Sequence, residues 1–194
     1  MKAIEWQPNR GPQRQLFSCP ATVILYGGAK AGGKTEAALV WAVANGFDKD
    51  GYRAVIFRRT FPELERKIIP RSHELFSGVG KYDTRNHQWT FPTPAALGSN
   101  VSVGGQAVLE FAYLERELDV HKYDGAEYAR IAFDESTRFS ENQVRYILTC
   151  LRSPVEGIRR QMLLATNPIG SGFSWHYELF IKNRQRKASS AAGF

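Results

Sequence analysis

A mostly parallel β-sheet flanked by helices, an α/β fold with one β-hairpin set into it, is what this sequence predicts. Three observations carry the expectation. Apolar, β-branched runs that read as buried strands alternate with helix-forming stretches, the pattern of parallel strands joined by helical crossovers. A glycine-rich segment stands between the first such strand and the first helix. Each of four strand-like runs ends in polar residues, and in a parallel sheet those ends share one edge, where ligands bind.

The chain of 194 residues, 43% hydrophobic, is long enough for one sizeable core. A formal charge of +7 points to a polyanionic partner, nucleic acid before membrane, because no basic amphipathic helix stands out. A merely soluble basic surface is the plainer alternative. Cys19 and Cys150 lie far apart without metal or redox spacing, which suits a reducing compartment. His73, His87, His121 and His176 are scattered and read as surface or satisfied core residues. No signal peptide and no apolar run of membrane-spanning length occurs, so a cytoplasmic location is expected.

Residues 1–20 are polar and broken by Pro8, Gly11, Pro12 and Pro20, with room for a short helix at Gln13–Ser18. Gln13 or Gln15 could present an amide to the edge of an adenine, or the segment could be an exposed arm. Ala21–Tyr26 predicts the first buried strand. Leu25–Thr35, L-Y-G-G-A-K-A-G-G-K-T, then fits Gly-x-x-x-x-Gly-Lys-Ser/Thr, with Gly28, Gly33, Lys34 and Thr35 in the fixed positions. Thr35–Ala44 predicts a helix closed by Asn45-Gly46. Strand, glycine loop and helix make a phosphate cradle from Gly28, Ala29, Lys30, Ala31, Gly32, Gly33, Lys34, Thr35 and Glu36. Its N–H groups and the helix N-terminus favour an anion, Lys34 reaches the terminal phosphates, and Thr35 can hold Mg²⁺. A glycine-rich turn without ligand is the alternative.

Tyr52–Arg59 predicts a second strand ending in Arg58 and Arg59. Pro62, Glu63 and Glu65 open a helix that runs to Leu75 or Phe76, disturbed at Pro70. Tyr82–Tyr113 has a different texture: Trp89–Phe91 and Val108–Phe111 flank a turn-rich interval, which predicts a β-hairpin inserted in the α/β pattern. Leu114–His121 is expected to be a short helix. Tyr128–Glu135 predicts a third buried strand, ending in two acids. Ser140 caps a helix to Arg152 with Val144, Ile147, Leu148 and Leu151 on one face. Arg160–Thr166 predicts a fourth strand running into Asn167-Pro168, and Trp175–Lys182 reads as helical. The domain is expected to span 1–182, with a poorly ordered tail at 183–194.

The strand ends define the chemistry. Asp134 suits the acid that holds a Mg²⁺ hydration shell opposite Thr35, and Glu135 suits the base that polarises an attacking water. A turn that caps the next helix is the alternative for this pair. Adjacent strand residues point oppositely, but at a strand's end the chain is turning and both can face the site. Thr166 and Asn167 could sense a γ-phosphate through a hydroxyl and an amide, or only end the strand. Lys30 could add positive charge within the loop, or be a solvated lysine.

These residues resemble one family, the ATPase domain of the large terminase subunit, the DNA-packaging motor of tailed bacteriophages. The likeness covers nearly the whole chain. It rests on G-P-Q at Gly11–Gln13, the phosphate loop at Tyr26–Thr35, F-R-R-T-F-P-E-L at Phe57–Leu64, and W-T-F-P at Trp89–Pro92. Y-D-G-A-E-Y at Tyr123–Tyr128, F-D-E at Phe133–Glu135, L-R-S-P at Leu151–Pro154 and A-T-N-P at Ala165–Pro168 complete it. The phosphate loop and Asp-Glu pair occur in many ATPases; F-R-R-T-F-P and A-T-N-P are more particular. The resemblance implies a phosphate-loop NTPase of the additional-strand, conserved-glutamate type, with ATP and Mg²⁺ as cofactors. It makes Gln13 the adenine-contacting glutamine, Glu135, Lys34 and Lys30 catalytic, Thr35 and Asp134 the metal holders, and Thr166-Asn167 the coupling motif. Double-stranded DNA, a portal protein, a small terminase subunit and a ring of like subunits are the implied partners, in the host bacterial cytoplasm, with no membrane.

Two departures bear on this. Related terminases place an arginine, acting on a neighbouring subunit, where this chain has Asp124 before Gly125; Lys122, Arg138, Arg145 or Arg152 could serve instead. No arginine is evident inside the site, so an isolated monomer is expected to be slow. Arg58, Arg59 and the basic tail are candidate DNA contacts. No clustered acidic nuclease ligands follow, so DNA cleavage by this chain is not expected. A helicase-like or recombinase-like ATPase and a non-catalytic nucleotide-binding regulator are the competing classes.

Overall fold

The computed structural model describes residues 6–28, 32–93, 105–167 and 170–182. Helix α1 (Pro12–Ser18) leads into β1 (Val23–Gly27), α2 (Lys34–Val43) and β2 (Arg53–Arg58). An α-helical turn, α3 (Phe61–Glu63), continues through a π-helical stretch (Leu64–Ile68) into α4 (Ile69–Phe76). Three strands follow, β3 (Lys81–Asp83), β4 (Gln88–Pro92) and β5 (Gln106–Tyr113), then a 3₁₀ segment (Glu117–Tyr123). β6 (Arg130–Asp134), helix α5 (Glu141–Leu148), β7 (Gln161–Thr166) and α6 (Phe173–His176), with a π-helical continuation (Tyr177–Lys182), complete the order.

Among the described residues seven strands form one sheet in the order β1-β7-β6-β2-β5-β4-β3. The pairs β1·β7, β7·β6, β6·β2 and β2·β5 are parallel; β5·β4 and β4·β3 are antiparallel. Alternation along each central strand sends residues to two cores. Ala54 and Ile56 pack with Leu39, Trp41, Leu64 and Ile68 on one face. Val55 and Phe57 pack with Phe133, Phe139, Val144 and Ile147 on the other. Helices on both faces are the arrangement that near-continuous apolar strands require.

The hairpin expected within the α/β pattern is present as β4 and β5, and the parallel pairing of β5 with β2 makes it a continuation of the sheet. A third strand, β3, escapes the sequence pattern because three polar-to-mixed residues give no periodicity to read. The disturbance expected at Pro70 takes the form of the π stretch just before it. Proline supplies no N–H to the preceding turn and its ring crowds the carbonyl four residues back, so the wider register relieves the clash. The segment expected to be helical at Leu114–His121 is 3₁₀ and shifted to Glu117–Tyr123. The helix expected to reach Arg152 stops at Leu148, since the Cys150 carbonyl accepts from the Tyr128 N–H at 2.9 Å and draws the chain toward β6. Ser140 caps α5, accepting from the Gln143 N–H at 3.1 Å. The tail 183–194 and the turn residues 94–104 lie outside the described residues.

At the end of α2, Asn45 takes the left-handed conformation (φ 63). Gly46 is required for a different reason: a Cβ there would lie 2.3 Å from the buried Tyr52 ring. Gly46→Ala is therefore expected to lower stability by about 1–3 kcal/mol through overpacking. Equilibrium urea unfolding measures this; a midpoint equal to the parent's would show that the ring moves freely.

Candidate active site

Strand register brings the expected residues to one edge. Gly27 of β1 is opposite Thr166 of β7, Ala165 of β7 is opposite Asp134 of β6, and Phe133 is opposite Phe57, one residue before Arg58. β7 thus stands between the strand that feeds the glycine loop and the strand that carries the acids.

Gly33 is the N-cap of α2 at φ 68, a left-handed conformation suited to glycine. The first turn of α2 then points its open N–H groups outward from the sheet edge. The Lys34 ammonium donates to the Gly28 carbonyl at 3.0 Å. Burial lowers its pKa, and the nearby carboxylates of Asp134 and Glu135 oppose that shift, so the cation and both acids share one site. The Thr35 hydroxyl donates to Asp134 Oδ2 at 3.0 Å.

Asp134 is 3% exposed. Burial raises its carboxyl pKa, while Arg58 and the Thr35 hydroxyl hold it down. Arg58 donates through Nε (3.0 Å) and Nη2 (2.7 Å) to Asp134 Oδ2, and its Nη1 lies 2.9 Å from Glu135 Oε2. Glu135 has φ 57 and ψ 50, a left-handed backbone rare for glutamate. This twist turns its carboxylate to the same guanidinium as its neighbour's, so both acids stand on one side of the strand's end.

Arg58 needs correcting. The sequence places it at the strand-end edge where ligands bind, with DNA contact or trans action as its candidate roles and no arginine evident inside the site. It is 2% exposed and lies within the site, because β2 ends level with β6 and three carboxylates, Asp134, Glu135 and Glu63 (3.7 Å), neutralise it there. Arg59 donates to the Leu114 carbonyl (2.8 Å) and Gln143 Oε1 (3.1 Å), holding the loop after β5 to α5 rather than facing outward. Arg138 pairs with Glu63 and approaches Glu135 Oε2 at 3.5 Å, on the rim of the site of its own chain. Lys122 pairs with Asp119 and Arg145 with Glu141, both away from the cavity, and Arg152 is exposed.

The Thr166 hydroxyl donates to the Asn167 carbonyl (2.8 Å) and lies within hydrogen-bond distance of Thr137 Oγ1 (3.0 Å). The buried Asn167 Oδ1 has no partner among the described residues and borders the cavity. Gln13 is 6% exposed, its Oε1 accepting from the Asn9 N–H at 2.7 Å and its Nε2 at 3.5 Å from the Gly32 and Gly33 carbonyls. Gln15, the other candidate, is exposed. The Glu36 carboxylate is engaged by the Trp6 indole (2.6 Å) and by Arg71 (3.0 and 2.6 Å), so what Glu36 offers a phosphate is its backbone. Ala29, Lys30 and Ala31 lie outside the described residues. Asp124, where an arginine was sought, accepts from the Tyr146 hydroxyl.

Gly32, Gly33, Lys34, Thr35, Arg58, Asp134, Glu135, Thr166 and Asn167 line one open cavity of about 660 Å³, within the range of small-molecule sites, and Gln13 is not among its lining residues. A groove of about 740 Å³ beside β3 is larger, but no comparable set of acids and phosphate-binding groups converges on it. Two residues of the functional cavity, Lys67 and Arg71, are not among those the sequence singles out. Their signal is present there: with Glu63 they are spaced by four along the helix that starts where Arg58 and Arg59 end.

The family described as terminase large subunit, T4likevirus-type, N-terminal, matches residues 25–192. No curated protein is significantly similar to the chain. Among solved structures, the large terminase of a thermophilic bacteriophage is similar at 17% identity and TM-score 0.64, over 93% of this chain and 44% of that one. A variant of the ATPase domain of the large terminase of Thermus phage P74-26 is similar at 16% identity and TM-score 0.62, over 91% and 71%. The first of these was also solved with ATP-γ-S, matching at 18% identity and TM-score 0.59 over 91% and 42%. The chain thus spans less than half of the longer large terminases, and identities this low speak for the fold alone.

Arg58→Met keeps bulk but leaves the buried Asp134 without its guanidinium and Glu135 with only the more distant Arg138, which is expected to cost about 3–5 kcal/mol near neutral pH. Without Arg58 the folded-state pKa of Asp134 rises further, so the folded chain binds that proton more tightly than the unfolded one. The deficit against the parent then widens as pH rises through the carboxylate range and narrows as pH falls. Urea titrations across that range test it; a deficit independent of pH would remove the electrostatic account.

Proposed function

The chain belongs to the family of large terminase subunits through its N-terminal domain, and from that premise we propose that it hydrolyses ATP to drive double-stranded DNA into a phage capsid. The single observation that carries the reading is the convergence of Lys34, Thr35, Asp134 and Glu135 on one cavity at the carboxyl edge of the sheet.

The residues fit Mg²⁺. Thr35 Oγ1 and Asp134 Oδ2 are hard oxygens 3.0 Å apart. Among the described residues no three His, Cys, Asp or Glu side chains form a cage of their own. Mg²⁺ suits such a site, since it takes one or two protein oxygens and completes its shell with water and phosphate. When bound it would neutralise charge on the phosphates. The protein's own groups do the rest. The loop amides and α2 hold the phosphate chain, Lys34 places a fixed charge on it, and Glu135 accepts a hydrogen bond from the attacking water. Arg58 keeps both acids turned toward the cavity. Lys30 adds charge from the loop, and the Gln13 amide exchanges its internal partners for the adenine edge. Thr166 links the end of β7 to Thr137, three residues after Asp134, and in this reading that link, with Asn167 at the cavity wall, passes a change at the phosphate to the segment that bears the acids.

In a ring on the portal, a neighbour's arginine reaches the site from outside, because the charge of Arg58 is already engaged by acids of its own chain. Exposed Arg145, Arg152 and Lys122 are the candidates to cross, and Arg138 sits at the rim. Duplex DNA, the portal protein and the small terminase subunit are the partners of this reading, in the host cytoplasm. No helix among the described residues is long and apolar enough to cross a membrane.

Glu135→Gln is expected to keep ATP binding and lose turnover by about 10²–10⁴-fold. Phosphate release against binding of a fluorescent ATP analogue separates the two; binding without turnover in the parent would reduce the protein to a nucleotide binder, and unchanged turnover in Glu135→Gln would remove Glu135 as the base.

A further inference from the structure

We propose that Lys67 is a cation this chain itself supplies to the terminal phosphate of the nucleotide, an inference that rests on the ATPase reading. Three residues spaced by four, Glu63, Lys67 and Arg71, share one stripe of the helical run from Phe61 to Phe76. The stripe is pinned at both ends. Glu63 pairs with Arg138 and lies 3.7 Å from Arg58, the partner of Asp134 and Glu135. Arg71 forks onto Glu36, the residue after Thr35. The helix therefore runs from the acids to the start of α2, across the mouth of the cradle, with Lys67 about 6 Å along the axis from each end contact. Leu64 and Ile68, both 0% exposed, anchor the same turns in the core, so packing fixes the stripe's direction.

Lys67 borders the same cavity as Lys34, Thr35, Asp134 and Glu135. Of the lining cations, Arg58 is held by Asp134 and Glu135 and Arg71 by Glu36 and Glu74. Among the described residues the Lys67 ammonium makes no ion pair or hydrogen bond, and the residue is exposed. Among the described residues the cavity is lined by four cations against three carboxylates, and the charge of Lys67 is the one with no ion pair. A polyanion entering this mouth meets a lysine with a reach of several ångströms whose ammonium is not held by a carboxylate. ADP, one phosphate shorter, would not extend to it.

The full chain carrying Lys67→Ala or Lys67→Arg is titrated with ATP-γ-S and with ADP in the presence of Mg²⁺, read by displacement of a fluorescent ADP, with thermal melts as control. Lys67→Ala is expected to weaken ATP-γ-S binding by about tenfold or more, the worth of a charge-assisted contact, and to leave ADP binding and the melt unchanged. Lys67→Arg is expected to restore most of the loss. Equal weakening of both nucleotides, or no weakening of either, overturns the assignment of Lys67. Failure of the parent protein to bind ATP-γ-S, or to release phosphate from ATP, overturns the ATPase reading and this inference with it. Turnover lost in Glu135→Gln alongside normal ATP-γ-S binding by Lys67→Ala overturns the inference alone.

Discussion

Two carboxylates stand side by side at the end of a buried strand, and one guanidinium makes that tolerable. Asp134 and Glu135 would repel each other and each would lose water on folding, an arrangement that costs several kcal/mol per charge without a partner. Arg58 answers both acids at 2.7–3.0 Å from the neighbouring strand. It can do so because β2 and β6 pair in parallel and in register, so that their carboxyl ends finish at the same level. The left-handed backbone at Glu135 is part of the same solution, since an extended residue there would send the second carboxylate to the opposite face.

The remaining site geometry follows from where β7 is placed. It separates the loop-bearing β1 from the acid-bearing β6 by one strand. Across that spacing a hydrogen bond from Thr35 to Asp134 ties the start of α2 to the acids. Thr166, at the end of the intervening strand, holds the Thr137 hydroxyl beyond the acids. A change at Thr35 or Asp134 would therefore act on a structure already joined from β1 to β7 to β6.

The helical run after β2 gives the site its third wall. Its π stretch and Pro70 shape the middle of the helix, while Leu64, Ile68, Ser72 and Phe76 bury its inner side. The stripe left facing the cavity is charged, and both of its ends are tied to residues adjacent to the chemistry. Few contacts hold this wall outside its buried side, and the ion pairs of Arg71 with Glu36 and Arg138 with Glu63 are partly exposed. Such pairs are individually weak in water, so they orient the helix over the cradle more than they stabilise it.

The strand–loop–helix at 21–44, the acid pair at 134–135 and the alternation of strands and helices were legible from the sequence alone. They are local: hydrophobic period, glycine where the backbone must turn left-handed, and residue types whose chemistry is their own. Ser140 as a cap and Asn45 as a helix end were legible for the same reason. The role of Arg58, the continuity of the hairpin with the sheet and the presence of Lys67 in the cavity were decided only by tertiary structure. An arginine ending a strand reads as surface until the partner strand supplies acids at its level, and Asp134 is 76 residues away. Strand order and register are properties of long-range pairing, and it is they that determine which charges meet.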